Sequence, residues 1–263
     1  MAKLVIMLRV KDGAQFVHDW LNCFEKLVDE IVVVDNGSTD GTYEILKAHP
    51  KVVDAMQTEG YNEGRDKNMV YAMARKRNPD WCLWLDIDEI FEPGITRDDL
   101  NRLMKRKYVN EYRFRRFHFI DKDHFAGSGT YFYYTCIHDR VLWRESADGY
   151  FEDFILDSPN VKGIKGVKIN TNYRLKHLGY ISKDLVDKKT VIYRAVINPE
   201  KEADLQKMYL HNERKIKWRD NRNSVQVISL NIILSSIQFL SLLPRGFNKA
   251  LTMVTRKIAV STS

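Results

Sequence analysis

The sequence predicts an α/β fold, a mostly parallel central sheet flanked by helices, with a helical C-terminal extension. Three observations carry that prediction. Short apolar runs rich in β-branched residues alternate with segments of helical periodicity through the first hundred residues. Turn-forming clusters punctuate the alternation. With 44% hydrophobic residues in 263, the chain is long enough for one large core.

Lys3–Val10 is an apolar run bounded by polar residues, hence a first strand, and Phe16, Val17, Trp20, Leu21 and Phe24 then fall at helical spacing. Glu30–Val34 (EIVVV) is a second strand; DNGSTDGT follows it with turn residues and helix-capping candidates before YEILKA. Val52–Gln57 is a weaker third strand, Asp66–Arg77 a helix carrying Met69, Ala72 and Met73, and Trp81–Leu85 a fourth strand. The alternation implies parallel pairing through right-handed crossovers. Tyr112–Ile120 (YRFRRFHFI) interleaves aromatics with arginines. Its period-two alternation across Tyr112, Phe114 and Arg116 reads as a half-buried strand rather than a nucleic-acid-binding strip.

The region from Lys183 to Arg222 is charged and expected to be helical, whereas Asn223–Pro244 contains no charged residue. That shift sets the expected boundary: a catalytic unit over 1–222, then an apolar helix and basic tail over 223–263. The length of Ser224–Pro244 is near that of a bilayer span, but Ser229, Asn231, Ser235, Ser236, Gln238 and Ser241 are scattered around the helix. Attachment to a membrane surface, aided by Arg245, Lys249, Arg256 and Lys257, and packing on the catalytic unit are the two expectations for it.

Lys and Arg number 42 against 35 Asp and Glu, so the formal charge is +7. An anionic partner fits that balance: nucleotide phosphates, a membrane surface or nucleic acid, the last disfavoured by the strand reading above. Cys23, Cys82 and Cys136 lie far apart without metal-ligand spacing, which suits a reducing, cytoplasmic setting. The first residues read as a strand and not as a signal peptide.

In open parallel sheets, ligands sit beyond the carboxyl ends of the strands. Arg9 and Lys11 follow the first strand, Asp35 and Asn36 the second, and Asp86 and Asp88 the fourth, so all six are expected at one edge. Neither a GxGxxG fingerprint nor a GxxxxGK[ST] phosphate loop follows the first strand, where the chain reads RVKDGAQF. Nicotinamide and P-loop chemistry therefore lose weight. On an extended segment Asp86 and Asp88 point to the same side, with Ile87 turned back to the core. Two such carboxylates can share a hard cation, Mg²⁺ or Mn²⁺, completed by water and phosphate oxygens. The bland alternative is a polar turn with helix-capping acids.

Taken together, RVKDGAQFVHDWL after a first strand, DNGSTDGT after a second, the segment EGRDKN and a strand entering DIDE resemble the family 2 glycosyltransferases of the GT-A fold. The resemblance covers roughly the first hundred residues, with an echo in KHLGY. It implies a transferase moving a sugar from a nucleotide-sugar donor to a hydroxyl of a glycan or lipid-linked acceptor, with inversion, in surface glycan or polysaccharide synthesis. By position it implies that Arg9 and Lys11 line the nucleotide pocket, and that Asp35 and Asn36 approach the base or ribose. Arg65 and Asn68 would contact the nucleotide or diphosphate. Asp86 and Asp88 would hold a divalent ion (Mn²⁺ or Mg²⁺), with His177 as a further ligand. Glu152 and Asp153, in GYFEDF, resemble the acidic pair from which such enzymes draw a general base; His138 and Asp139 are rivals. Asn36 departs from the Asp that many members carry there. A sugar-nucleotide nucleotidyltransferase and a catalytically inactive nucleotide-sugar-binding module are the alternative functions.

Overall fold

The structure, a computed structural model, describes residues 1–127, 138–155, 160–196, 215–221 and 225–241. Cys136, the basic residues of the tail and the stretch 197–214 lie outside the described residues.

The chain runs β1 (Leu4–Val10), α1 (Ala14–Phe24), β2 (Glu30–Asp35), α2 (Thr42–Ala48), β3 (Val52–Gln57), α3 (Glu63–Lys76) and β4 (Trp81–Trp84). It continues through β5 (Glu89–Phe91), α4 (Arg97–Met104), β6 (Val109–His118), β7 (His124–Ala126), β8 (His138–Arg144) and β9 (Val167–His177). Helix α5 (Lys183–Val196), strand β10 (Lys215–Lys217) and helix α6 (Val225–Ser241) follow. The central sheet is ordered β3-β2-β1-β4-β8-β6-β9-β5. Its first four strands are parallel, as the alternation predicts; β8 then enters antiparallel between β4 and β6, β9 runs parallel to β6, and β5 closes the edge antiparallel to β9.

Alternation on the central strands sorts the core into two layers. Leu4, Ile6 and Leu8 of β1, Ile31 and Val33 of β2, and Trp81 and Leu83 of β4 pack with Val17, Trp20, Leu21 and Phe24 of α1. The intervening residues Val5, Met7, Val32, Val34, Cys82 and Trp84 pack against Val70, Tyr71, Met73 and Ala74 of α3. Successive strand side chains point to opposite faces, so a sheet covered on both sides needs continuous apolar runs.

One expectation changed, and of the two expectations for the apolar segment the structure shows packing. Lys215–Lys217, read as part of a charged helix, is a strand pairing antiparallel with β7. The signal was the alternation of Lys215, Ile216, Lys217 and Trp218, in which Ile216 and Trp218 join Phe117, Phe119 and Phe125 in an aromatic cluster. Within the apolar C-terminal segment, α6 docks on that same cluster through Leu230 and Leu234, and Arg115 donates to Ser235 Oγ at 3.0 Å. The change of composition at 222/223 is therefore followed by a helix packed on the first unit. Ile228 and Ile232 remain exposed on its outer face. Among the described residues no helix is long and apolar enough to cross a membrane.

Candidate active site

Loops after β1 and β2 are laced together at the carboxyl edge. Asp35, the last residue of β2, pairs with Val10 and is fully buried; its Oδ1 accepts from Ser38 N at 2.8 Å and from Gln57 Nε2 at 3.2 Å. Its Oδ2 is buried with no hydrogen-bond partner, a polar atom that a ligand hydroxyl would satisfy. Lys11 Nζ donates to Asn36 O (2.9 Å) and Gly37 O (3.3 Å), and Asp12 N donates to Ser38 Oγ. Gly37 makes the turn with φ +67°, which favours glycine.

Asn36 donates both amide hydrogens internally, to Thr58 Oγ1 at 3.0 Å and Gly60 O at 2.9 Å. The donor expected to read a base is thus engaged in bracing the Thr58–Gly60 turn. Asn36→Asp would set a carboxylate against the Gly60 carbonyl. It is expected to destabilise the protein by about 1–3 kcal/mol, measured by chemical denaturation; an unchanged midpoint would refute the brace.

Arg9 and Arg65 converge on Asp66, which is fully buried at the start of α3. Arg9 Nε stands 3.5 Å from Asp66 Oδ2, and Arg65 donates to Oδ1 at 2.8–2.9 Å while also reaching Gly60 O. Arg9 lies 4.5 Å from the Tyr61 ring centre and keeps one buried guanidinium nitrogen, Nη2, without a hydrogen-bond partner. Burial alone would lower its pKa, but Tyr61, Glu63 and Asp66 more than offset that. Asn68 has its amide engaged within the protein. It brackets the backbone of Phe151, donating to the carbonyl at 2.8 Å and accepting from the amide at 2.9 Å, and so positions the GYFEDF segment.

That segment lies across the first turn of α3, with Glu63 N and Gly64 N donating to Ile155 O and Phe154 O at 2.9 Å. Gly64 allows the close approach: a Cβ there would collide with the backbone of residues 152–154. Phe151, the residue before Glu152 and Asp153, packs on Trp84 at 5.3 Å, two residues before Asp86. Glu152 stands 3.4 Å from Lys162 Nζ, and Asp153 is exposed. Of the rivals, His138 is buried and meets Thr171 O through Nε2 at 3.2 Å, while Asp139 pairs with Arg116 at 3.2 Å.

The densest electrostatics gather where β4 ends. Register aligns Glu89 of β5, His177 of β9 and His118 of β6 abreast across three strands. Burial raises the pKa of Asp86; Lys67 opposes the rise and Asp88 adds to it. For Asp88 burial works in the same sense, but Lys189 and then His177 more than offset it and hold the carboxyl below its ordinary range. Burial, with Asp86 and Asp88 nearby, pushes Glu89 up to about 8 despite Arg116 at 2.7 Å. For Arg116 itself burial is a lowering influence outweighed by Asp139 and Glu89, so its charge is secure. His177, lowered to about 3 chiefly by burial, is neutral and meets His118 Nδ1 through its own Nδ1 at 3.0 Å; its Nε2 lies 3.5 Å from Asp88 Oδ2. The tautomer in which His177 Nδ1–H donates to His118 leaves the Nε2 lone pair facing Asp88, the form a metal ligand needs.

Two carboxylates and a neutral imidazole suit Mn²⁺ or Mg²⁺, and the raised Asp86 marks negative charge that a cation would relieve. Among the described residues no three such groups are already gathered as a metal cluster. Lys189 Nζ, 2.7 Å from Asp88 Oδ2, supplies a cation there instead. Lys67, Arg116, His118 and Lys189 are the members of this cluster that sequence reasoning missed.

The sequence profile of glycosyl transferase family 2 matches residues 14–160. The chain belongs to that family. Its curled, mostly parallel sheet is the GT-A fold. Among solved structures, this family 2 chain is similar to S. aureus TarS 1-349, with TM-score 0.46 and 16% identity over 94% of this chain and 82% of that one. It is also similar to mannosyltransferase PcManGT from Pyrobaculum calidifontis in complex with GDP-Man and Mn²⁺, with TM-score 0.44 and 14% identity over 99% and 86% of the two chains. An uncharacterized protein of Mycobacterium tuberculosis is 28% identical over 118 residues, 39% of this chain and 29% of that protein. The chain thus spans 29% of the length of the curated relatives it matches.

Proposed function

We propose that this glycosyltransferase moves a sugar from a nucleotide-sugar donor to a hydroxyl of a glycan or lipid-linked acceptor, with inversion and with a divalent ion, in surface glycan or polysaccharide synthesis. The observation that supports the reading is that β1, β2, β4 and β9 run in the same direction, so that Arg9, Asp35, Asp86, Asp88 and His177 lie at or just past the carboxyl ends of those strands. The unpartnered Asp35 Oδ2 is suited to a ribose hydroxyl, and Arg9 and Arg65 to the donor's negative charge. Lys11 and Asn36 shape the loop against which the nucleoside would rest.

Asp86 and Asp88, with His177, would hold the divalent ion, which when bound neutralises charge on the departing diphosphate. Lys67, 5.1 Å from the Trp84 ring centre, and Arg116 keep positive potential on the same side of the cluster. Glu152 or Asp153 would take the proton from the acceptor hydroxyl as it attacks the anomeric carbon from the face opposite the diphosphate. The exposed Ile228 and Ile232 on α6 are the face through which a peripheral membrane contact would bring in a membrane-borne acceptor.

The test is release of nucleoside diphosphate from a panel of nucleotide sugars with Mn²⁺, and NMR of the product's anomeric proton. A general-base variant is expected to lose about 10²–10⁴-fold in turnover. It should keep donor affinity, because a base acts only as the acceptor proton moves. Glu152→Gln or Asp153→Asn should show that split; if both retain most activity, neither is the base. Retained anomeric configuration would overturn inversion.

A further inference from the structure

We propose that Lys189 is the resting occupant of the cation seat at Asp88, and that a divalent ion enters by displacing it. The inference rests on the metal-dependent reading above. It begins from one oxygen. Asp88 Oδ2 accepts a hydrogen bond from Lys189 Nζ at 2.7 Å and is also the oxygen nearest His177 Nε2, at 3.5 Å. An ion held by Asp88 Oδ2 and His177 Nε2 would compete with the ammonium for the same oxygen, and two cations on one carboxylate oxygen repel each other.

The contact is built into the fold. Lys189 reaches from α5 across 101 residues of sequence, and its ammonium lies 4.5 Å from the Tyr180 ring centre. Tyr180 in turn packs against His177 at 4.9 Å. Gly179 is what lets the pair close: a Cβ at that position would collide with both Lys189 Nζ and Asp88 Oδ2. Leu178 N donates to Asp88 O at 2.7 Å, which fixes the HLGY turn over the acid whether or not the lysine is present. Lys189 is 29% exposed at the side chain, so water can receive it when it leaves, whereas Asp88 is 9% exposed and stays. Lysine, a single point charge on a flexible stem, suits this exchange better than a bidentate arginine would.

Cation binding and docking of α5 through Lys189 are therefore competing states. The experiment is direct Mn²⁺ binding without donor, read by EPR of free Mn²⁺, on wild type, Lys189→Met and Asp88→Asn. Amide exchange over residues 183–190 of the wild type is followed with and without Mn²⁺. Lys189→Met should bind Mn²⁺ about tenfold more tightly, the size expected for removing one competing charge-assisted hydrogen bond. In the wild type Mn²⁺ should speed exchange in α5. Equal or weaker binding by Lys189→Met, or α5 exchange indifferent to Mn²⁺, overturns the proposal while Asp88-dependent binding leaves the metal reading standing. If wild type, Lys189→Met and Asp88→Asn are alike in binding none, both readings fall together. The wild-type exchange measurement needs no variant, so the test survives a variant that fails to fold.

Discussion

Asp88→Asn is expected to lower metal-dependent turnover by about 10²–10³-fold, the loss typical of removing one group that stabilises transition-state charge. The chain should remain folded. Three features predict this separation. The structural bond at this position, Leu178 N to Asp88 O, belongs to the backbone and survives the substitution. Lys189, the side-chain partner, is partly exposed and can turn to water, so its release costs about 1.5 kcal/mol, a fraction of a domain's stability. An amide oxygen can still meet Lys189 but binds a hard divalent ion far less well than a carboxylate. Steady-state rates over a Mn²⁺ titration, together with a thermal melt, check both halves. Wild-type rates in the variant, or full wild-type activity in EDTA, would defeat the assignment.

The parallel half of the molecule was legible because its strands are buried on both faces. Leu4–Leu8, Ile31–Val34 and Trp81–Leu85 are continuous apolar runs, and the polar residues that follow them had to emerge at the carboxyl edge. The antiparallel half was not legible. Tyr112–Ile120 reads as one strand, yet which of its arginines turns toward the acids depends on pairing with β8 and β9 and on irregularities near Tyr112–Arg115 that shift its register. Arg115 is buried and bonds α6, while its neighbour Arg116 faces Glu89 and Asp139. Sequence spacing cannot separate two adjacent arginines in this way.

Distance along the chain hid the rest of the site. Lys189 lies in a charged helical stretch where a solvated face is the ordinary reading, and nothing local marks it as Asp88's partner. Asp66 looked like a helix-start acid; its burial between Arg9 and Arg65 makes it the anchor of both guanidiniums. Asn36 and Asn68 illustrate the converse. Each was singled out for a ligand, and each has its amide committed to the protein, because side chains that shape a pocket share positions with those that would touch its occupant.

Arg174→Met is expected to destabilise the protein by about 3–5 kcal/mol, the usual loss when one partner of a buried ion pair is removed. Arg174 and Glu92 are 1% and 2% exposed, joined by Nε to Oε2 at 2.6 Å, with Arg174 N donating to Glu92 Oε1 at 3.1 Å. The guanidinium also donates to Arg219 O at 2.8 Å and lies 4.1 Å from the Trp218 ring centre, so it fastens the 215–221 segment to β9. Methionine fills comparable volume but strips Glu92 of its guanidinium in a place that water does not reach. The consequence extends to catalysis. Glu92 is three residues past Glu89 and Arg174 three before His177, and Glu89 and His177 are themselves paired across β5 and β9. The ion pair therefore holds the register that sets His177 against Asp88. Denaturant midpoints and melting curves measure the loss, and a fall of about 6–20 °C is expected at roughly 2–4 °C per kcal/mol. Replacing both residues, Glu92→Leu with Arg174→Met, should recover part of it, since no buried carboxylate then remains. A shift within experimental error in the single variant would show that the register is held by the strand pairing alone.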